Sequence, residues 1–244
     1  MMCKLLILQL LAHLVSDFYL QTEKSCKSKA DNAFKSRHLY IHALITFACA
    51  WLFSLNVGYW WAALLIAALH LVIDGLKSIC RNLKGAFFYD QLLHVAVIVA
   101  VVTLFNNKGV ISFPTWLSET KVLLWIVAFV FCLRPVNFFI QNIFKDAKIT
   151  VPTNGEENQS LPNAGHVIGN VERMLTLVFV MLGQYEAIGF LLAAKSLLRF
   201  RETDTVKSEY VLVGTLLSFG FAILMGVAVK LVIESNINTW IIKS

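Results

Sequence analysis

The chain has 244 residues, of which 58% are hydrophobic and 15% charged, and its formal net charge is +6. A soluble domain carries roughly 25% charged residues, so this composition excludes an ordinary soluble enzyme, a disordered chain and a disulfide scaffold. It leaves an integral membrane protein, with a mean hydropathy of +0.69. The five cysteines (Cys3, Cys26, Cys49, Cys80 and Cys132) are odd in number, show no CxxC spacing and read as small hydrophobes.

A membrane span takes about 20 apolar residues. The apolar pattern predicts an all-α, polytopic bundle of about eight spans, over 1–20, 39–56, 59–78, 87–106, 121–142, 166–183, 185–200 and 209–233. The first begins like a secretory signal, with Lys4 before an apolar run. His13 and Asp17 interrupt it and no small-x-small cleavage site follows, so it reads as a mature helix. A basic loop with Lys24, Lys27, Lys29, Lys35 and Arg37 comes next. The second span carries His42. The third carries His70 and Asp74, with Lys77, Ser78 and Arg81 one or two turns on, and the fourth carries Asp90 and His94. Arg134 lies in the fifth, followed by Pro135, which should kink it.

Residues 143–165 read as a polar cytoplasmic loop between an N-terminal bundle (1–142) and C-terminal membrane helices (166–244). Glu172 and Arg173 fall in the sixth span, Glu186, Lys195 and Arg199 in the seventh, and Glu209 opens the eighth. One long helix over 166–200 would instead give seven spans. Lys and Arg favour cytoplasmic loops. The odd loops hold most of them, including Lys84, Lys145, Lys148, Arg201 and Lys207, while the even loops hold only Lys108 and Lys121. That bias predicts an N-terminus outside and favours eight spans, because seven would strand the 199–207 loop outside.

Ionisable residues within spans are costly and point to function. His13 and Asp17, His70 and Asp74, and Asp90 and His94 are each four residues apart, so each pair shares one helix face. With alternating span directions, every Asp falls nearer the cytoplasm and its His about one turn deeper, roughly 6 Å. His42 falls near the Asp level. The repeated HLVxD (His13–Asp17, His70–Asp74) hints at a parallel duplication. Three readings stay open. The seven side chains suit one or two divalent ions such as Zn, Mn or Fe. They also suit a proton or ion relay, or hydrogen-bonded glue between helices.

Lys77 and Arg81, and in the C-terminal helices Lys195 and Arg199, have the chemistry to steady a phosphate headgroup. Snorkelling anchors would look the same. Glu172, Arg173 and Glu209 read as a buried ion-pair network. No P-loop, Rossmann glycine pattern, GxSxG or HExxH occurs, and no nucleic-acid partner is expected.

The segments AHLVSDFYLQT (12–22), LHLVIDGLKS (69–78), DQLLH (90–94), 168–200 and EYVLVGTLLS (209–218) together resemble the bacterial and phage membrane family called domain of unknown function 3307. The resemblance covers nearly the whole chain and is weakest over 107–165. The HxxxD helices are also similar to inner-membrane metal-dependent hydrolases of the YdjM type. These resemblances imply a multi-pass protein of the bacterial inner membrane and a metal-dependent hydrolase. The expectation is hydrolysis of a phosphoester in a membrane lipid. Asp17, Asp74 and Asp90, with His13, His42, His70 and His94, would be ligands or bases. The alternatives are a proton- or ion-coupled transporter, a channel-like effector, or a structural or signalling protein with a polar core. A homo-oligomer is compatible with all of them.

Overall fold

The computed structural model describes residues 2–80, 83–104, 119–149, 164–199 and 205–241. Every regular element among them is helical. The apolar segments read from the sequence each fall on helix, because uninterrupted apolar residues satisfy their backbone groups within the segment. Among the described residues four helices are long and apolar enough to cross a membrane: Val57–Ile79, Ala86–Leu104, Gly165–Leu182 and Ser208–Ser235. The number rises to six if two bent pairs each count as one span. The chain divides into two compact units, Met1–Val127 and Ala128–Ser244. The division lies inside a helix, whereas the polar boundary read at 143–165 falls largely outside the described residues.

In the first unit, α1 (Met2–Leu14) runs into a π turn over Val15–Tyr19. The Leu20 amide donates to the Val15 carbonyl at 3.0 Å, a reach of five residues that widens the helix beside His13 and Asp17. The chain then bends by 87° into Glu23–Lys35. Within it, α2 (Glu23–Asn32) starts at Thr22, whose hydroxyl accepts from the Ser25 amide. The basic stretch read as a loop is therefore helix. Ser25 and Lys29, four residues apart, form its buried face, and Lys24, Lys27 and Lys35 are exposed. Phe34 lies flat on α4 at Gly75, where a Cβ would meet its ring at 2.2 Å.

α3 (Arg37–Ser54), α4 (Trp60–Ile79) and α5 (Ala86–Leu104) complete the bundle, and α6 (Thr120–Leu133) follows. α3 packs on α1 and α4, and α5 packs on α1 and α4. At one end the four helices close over an apolar cluster of Ala50, Tyr59, Ala62, Ala63, Ile66, Ile98, Val101 and Val102.

In the second unit, α6 breaks at Arg134 and continues as α7 (Pro135–Asp146), with a 44° bend. Proline has no amide to donate and its ring clashes with the preceding turn, so the kink expected from the sequence is present. α8 (Ala164–Leu182) and α9 (Tyr185–Arg199) are separate helices. Gly183 has φ +75°, a left-handed conformation that glycine adopts at no steric cost. α8 packs on α10 (Thr205–Ile241), where a Cβ at Gly226 would lie 2.7 Å from Val180 Cγ1 and 3.0 Å from its Cβ. Val180 is fully buried and branched at Cβ, so it cannot swing aside. Gly226→Ala is expected to lower stability by about 1–3 kcal/mol, read from thermal unfolding in detergent.

Candidate functional site

All seven His and Asp side chains picked from the sequence meet inside the first unit. Their exposures are 4% (His13), 7% (Asp17), 2% (His42), 3% (His70), 5% (Asp74), 1% (Asp90) and 2% (His94). Helical spacing is the cause. Residues four apart present side chains to one face, and α1, α3, α4 and α5 turn those faces toward one another.

The contacts fall into overlapping sets. Asp17 Oδ1 lies 3.4 Å from His42 Nε2, 3.5 Å from His70 Nε2 and 3.6 Å from His13 Nδ1. Asp74 Oδ2 lies 3.7 Å from His42 Nε2 and 3.9 Å from His70 Nε2. The two Nε2 atoms are themselves 3.0 Å apart. His94 Nε2 lies 3.6 Å from Asp74 Oδ1 and 3.3 Å from Asp90 Oδ1. The His13, Asp17 and His70 set, the His42, His70 and Asp74 set, and the Asp74, Asp90 and His94 set each bring their ligand-type atoms within 4.8 Å of one another. His42 lies beside the Asp17 and Asp74 carboxylates and the His70 ring.

Two lysines neutralise part of this charge. Lys29 Nζ donates to Asp74 Oδ2 at 2.5 Å, and Lys77 Nζ donates to Asp90 Oδ2 at 2.6 Å. The Gln91 amide donates to Asp90 Oδ2 at 3.1 Å, and its Oε1 lies 3.3 Å from His13 Nε2. Asp90 can only accept, so the amide NH2 must face it and the amide oxygen must face an Nε2–H of His13. His13 Nδ1 is buried without a hydrogen-bond partner, 3.6 Å from Asp17 Oδ1. Ser16 Oγ donates to Asp17 Oδ1 at 2.9 Å. Asp90 Oδ1 and His94 Nε2 are buried without a hydrogen bond although they are 3.3 Å apart, because they are out of line for one.

Lys29, Gln91 and Ser16 escape a reading of the sequence. Lys29 looks like one more solvated cation in a basic stretch, and only its spacing from Ser25 marks an inner face. Gln91 is neutral and directly follows Asp90. One turn past the histidines, Gln9, Thr46, Ile66, Val97 and Ile98 line a small cavity capped by the His13, His70 and His94 rings.

The other expected residues are placed as follows. Lys77 reaches inward onto Asp90 and also stands 5.5 Å from the centre of the Phe87 ring. Arg81 lies outside the described residues, as does the Arg199 side chain. In the second unit Lys195 pairs with Glu172. Arg173 is 2% exposed, and it donates to neutral acceptors. They are Cys132 O at 2.5 Å, Asn170 Oδ1 at 2.6 Å, Asn137 Oδ1 at 2.7 Å, Ser218 Oγ at 2.8 Å and Leu133 O at 3.4 Å. The Cys132 and Leu133 carbonyls belong to the last turn of α6, where the Pro135 break takes away helical donors. Arg173 therefore caps the break. Glu209 is exposed near the start of α10, and His166 is exposed on α8.

No curated protein and no solved structure matches the chain. A family model described as protein of unknown function (DUF3307) matches residues 5–124, which contain every member of the His/Asp/Lys cluster. That match, just under half of the chain, ties residues 5–124 to the DUF3307 family.

Proposed function

We propose that this protein is an integral membrane, metal-dependent hydrolase that cleaves a phosphoester of a membrane lipid at the cytoplasmic face. The observation that carries the metal reading is the spacing within the cluster. Hydrogen-bonded partners sit about 2.7–3.2 Å apart and in line. The His and carboxylate atoms here are 3.3–3.9 Å apart, and His94 Nε2 and Asp90 Oδ1 are not in line with each other. Atoms that each lie about 2.0–2.2 Å from one ion are separated by about 3.3–3.6 Å along the edges of its tetrahedron. Apart from His42 and His70, whose Nε2 atoms are hydrogen-bonded at 3.0 Å, these donors are spaced for an ion between them rather than for each other.

A divalent ion here would polarise the phosphoryl group and lower the pKa of water. The chain's own residues prepare that chemistry. Lys77 and Gln91 hold Asp90 by one oxygen and leave the other free. Gln91 holds His13 by Nε2 and leaves Nδ1 beside Asp17. Lys29 and Lys77 bring positive charge to the site for an anionic headgroup, with Arg81 following along the chain. The distribution of Lys and Arg supports eight spans with the N-terminus outside, and the resemblance noted from the sequence supports a bacterial inner membrane.

Past the small cavity that Gln9 and Thr46 line, Tyr59, Ala62, Ala63, Val101 and Val102 close the bundle, which favours a hydrolase over a transporter, since a through-path would need polar lining there too. The test is headgroup or phosphate release from phospholipids and polyprenyl phosphates by detergent-purified protein supplied with Mn or Zn. Wild type should release product, and His94→Ala or a chelator should remove at least about a hundredfold of the rate. Metal-loaded wild type that releases nothing from any of these lipids would overturn the hydrolase reading.

A further inference from the structure

The two oxygens of Asp74 face different partners. Oδ2 faces His42 and His70, while Oδ1 faces His94. We propose that Asp74 is a bridging carboxylate between two unlike cation sites, one closed and one open. This rests on the metal reading above and extends it from the existence of a site to its nuclearity.

The first site is formed by Asp17 Oδ1, His42 Nε2, His70 Nε2 and Asp74 Oδ2. Asp17 Oδ1 lies 3.4 and 3.5 Å from the two nitrogens, Asp74 Oδ2 lies 3.7 and 3.9 Å from them, and the nitrogens are 3.0 Å apart. Four protein donors close a tetrahedral site. The second is formed by Asp74 Oδ1, Asp90 Oδ1 and His94 Nε2, with separations of 3.6 and 3.3 Å. Three donors leave a position open, as in hydrolytic sites.

Ring geometry separates the two sites independently of those distances. An imidazole nitrogen donates in the plane of its ring. The His70 and His94 rings are stacked, with centroids 3.9 Å apart and planes 20° apart. Planes so nearly parallel meet far beyond the roughly 2 Å reach of a coordinate bond. One ion therefore cannot lie in both planes, and His70 and His94 must serve different ions. His42 and His70 differ, with planes 56° apart and Nε2 atoms 3.0 Å apart, and they can converge on one ion. Asp74 is the residue that reaches both sets, and a bridged pair of ions about 3.5–4 Å apart suits in-line displacement at phosphorus. The open site lies beside His13, whose ring centroid is 5.2 Å from that of His94.

The test is metal counting and electron paramagnetic resonance on the detergent-purified full chain loaded with Mn²⁺. Wild type should bind two Mn per chain and give the multiline signal of an exchange-coupled pair. His94→Ala should fall to one Mn per chain with the uncoupled six-line signal, and His42→Ala should do the same by losing the other site. One Mn per chain in wild type, lost in both variants, would overturn the bridge and leave the metal reading standing. No binding of Mn, Zn or Fe by folded wild type would overturn both. The wild-type count and spectrum decide the matter even if a variant fails to fold.

Discussion

Asp74→Asn is expected to destabilise the protein by about 3 kcal/mol, because it strands a buried cation, and to abolish metal binding. Lys29 Nζ sits 2.5 Å from Asp74 Oδ2, and the Lys29 side chain is 10% exposed. Removing the anion leaves the ammonium buried with a neutral amide. The same change removes a carboxylate from both proposed cation sites. The two effects are separable. Adding Lys29→Met to Asp74→Asn takes away the stranded charge, so stability should return toward wild type while metal binding stays lost. Denaturant unfolding and metal content of the single and double variants check this. Metal binding that survives Asp74→Asn, or that returns with Lys29→Met, would contradict it.

Arg173→Met is expected to cost about 3 kcal/mol. The guanidinium satisfies two carbonyls at the end of α6 together with Asn137, Asn170 and Ser218, and methionine satisfies none of them. In an apolar surrounding those acceptors find no water. Arg173→Lys should recover less than half of the loss, because one ammonium with three donors cannot span a set built for a planar fork. Thermal unfolding of both variants in detergent checks this, and a lysine variant as stable as wild type would contradict it.

Helix positions were legible because the signal is long and local. The segment 87–106 corresponds to α5 at Ala86–Leu104, and the Arg134–Pro135 dipeptide marks the observed break between α6 and α7. The convergence of seven His and Asp side chains was legible for the same reason, since a spacing of four fixes a shared face without knowledge of the partners. What stayed hidden depends on the path of the chain in space. The π turn and the 87° bend return α2 to the bundle and bring Lys29 onto Asp74, 45 residues away in sequence. Arg173 carried a formal charge and so suggested an ion-pair network with Glu172 and Glu209. Its partners are instead two carbonyls at the proline break and the side-chain oxygens of Asn137, Asn170 and Ser218. His42, expected near the aspartates, lies beside Asp17 and Asp74 and also against the His70 ring, because α3 packs on α4.

X-ray absorption at the metal edge of detergent-purified wild type tests the cluster most directly. A bound ion in the cluster predicts stoichiometric metal with nitrogen and oxygen neighbours at about 2.0–2.2 Å and the outer-shell scattering of imidazole rings. Well-folded protein that carries no metal after exposure to Zn, Mn and Fe, or metal whose spectrum lacks imidazole, would contradict it.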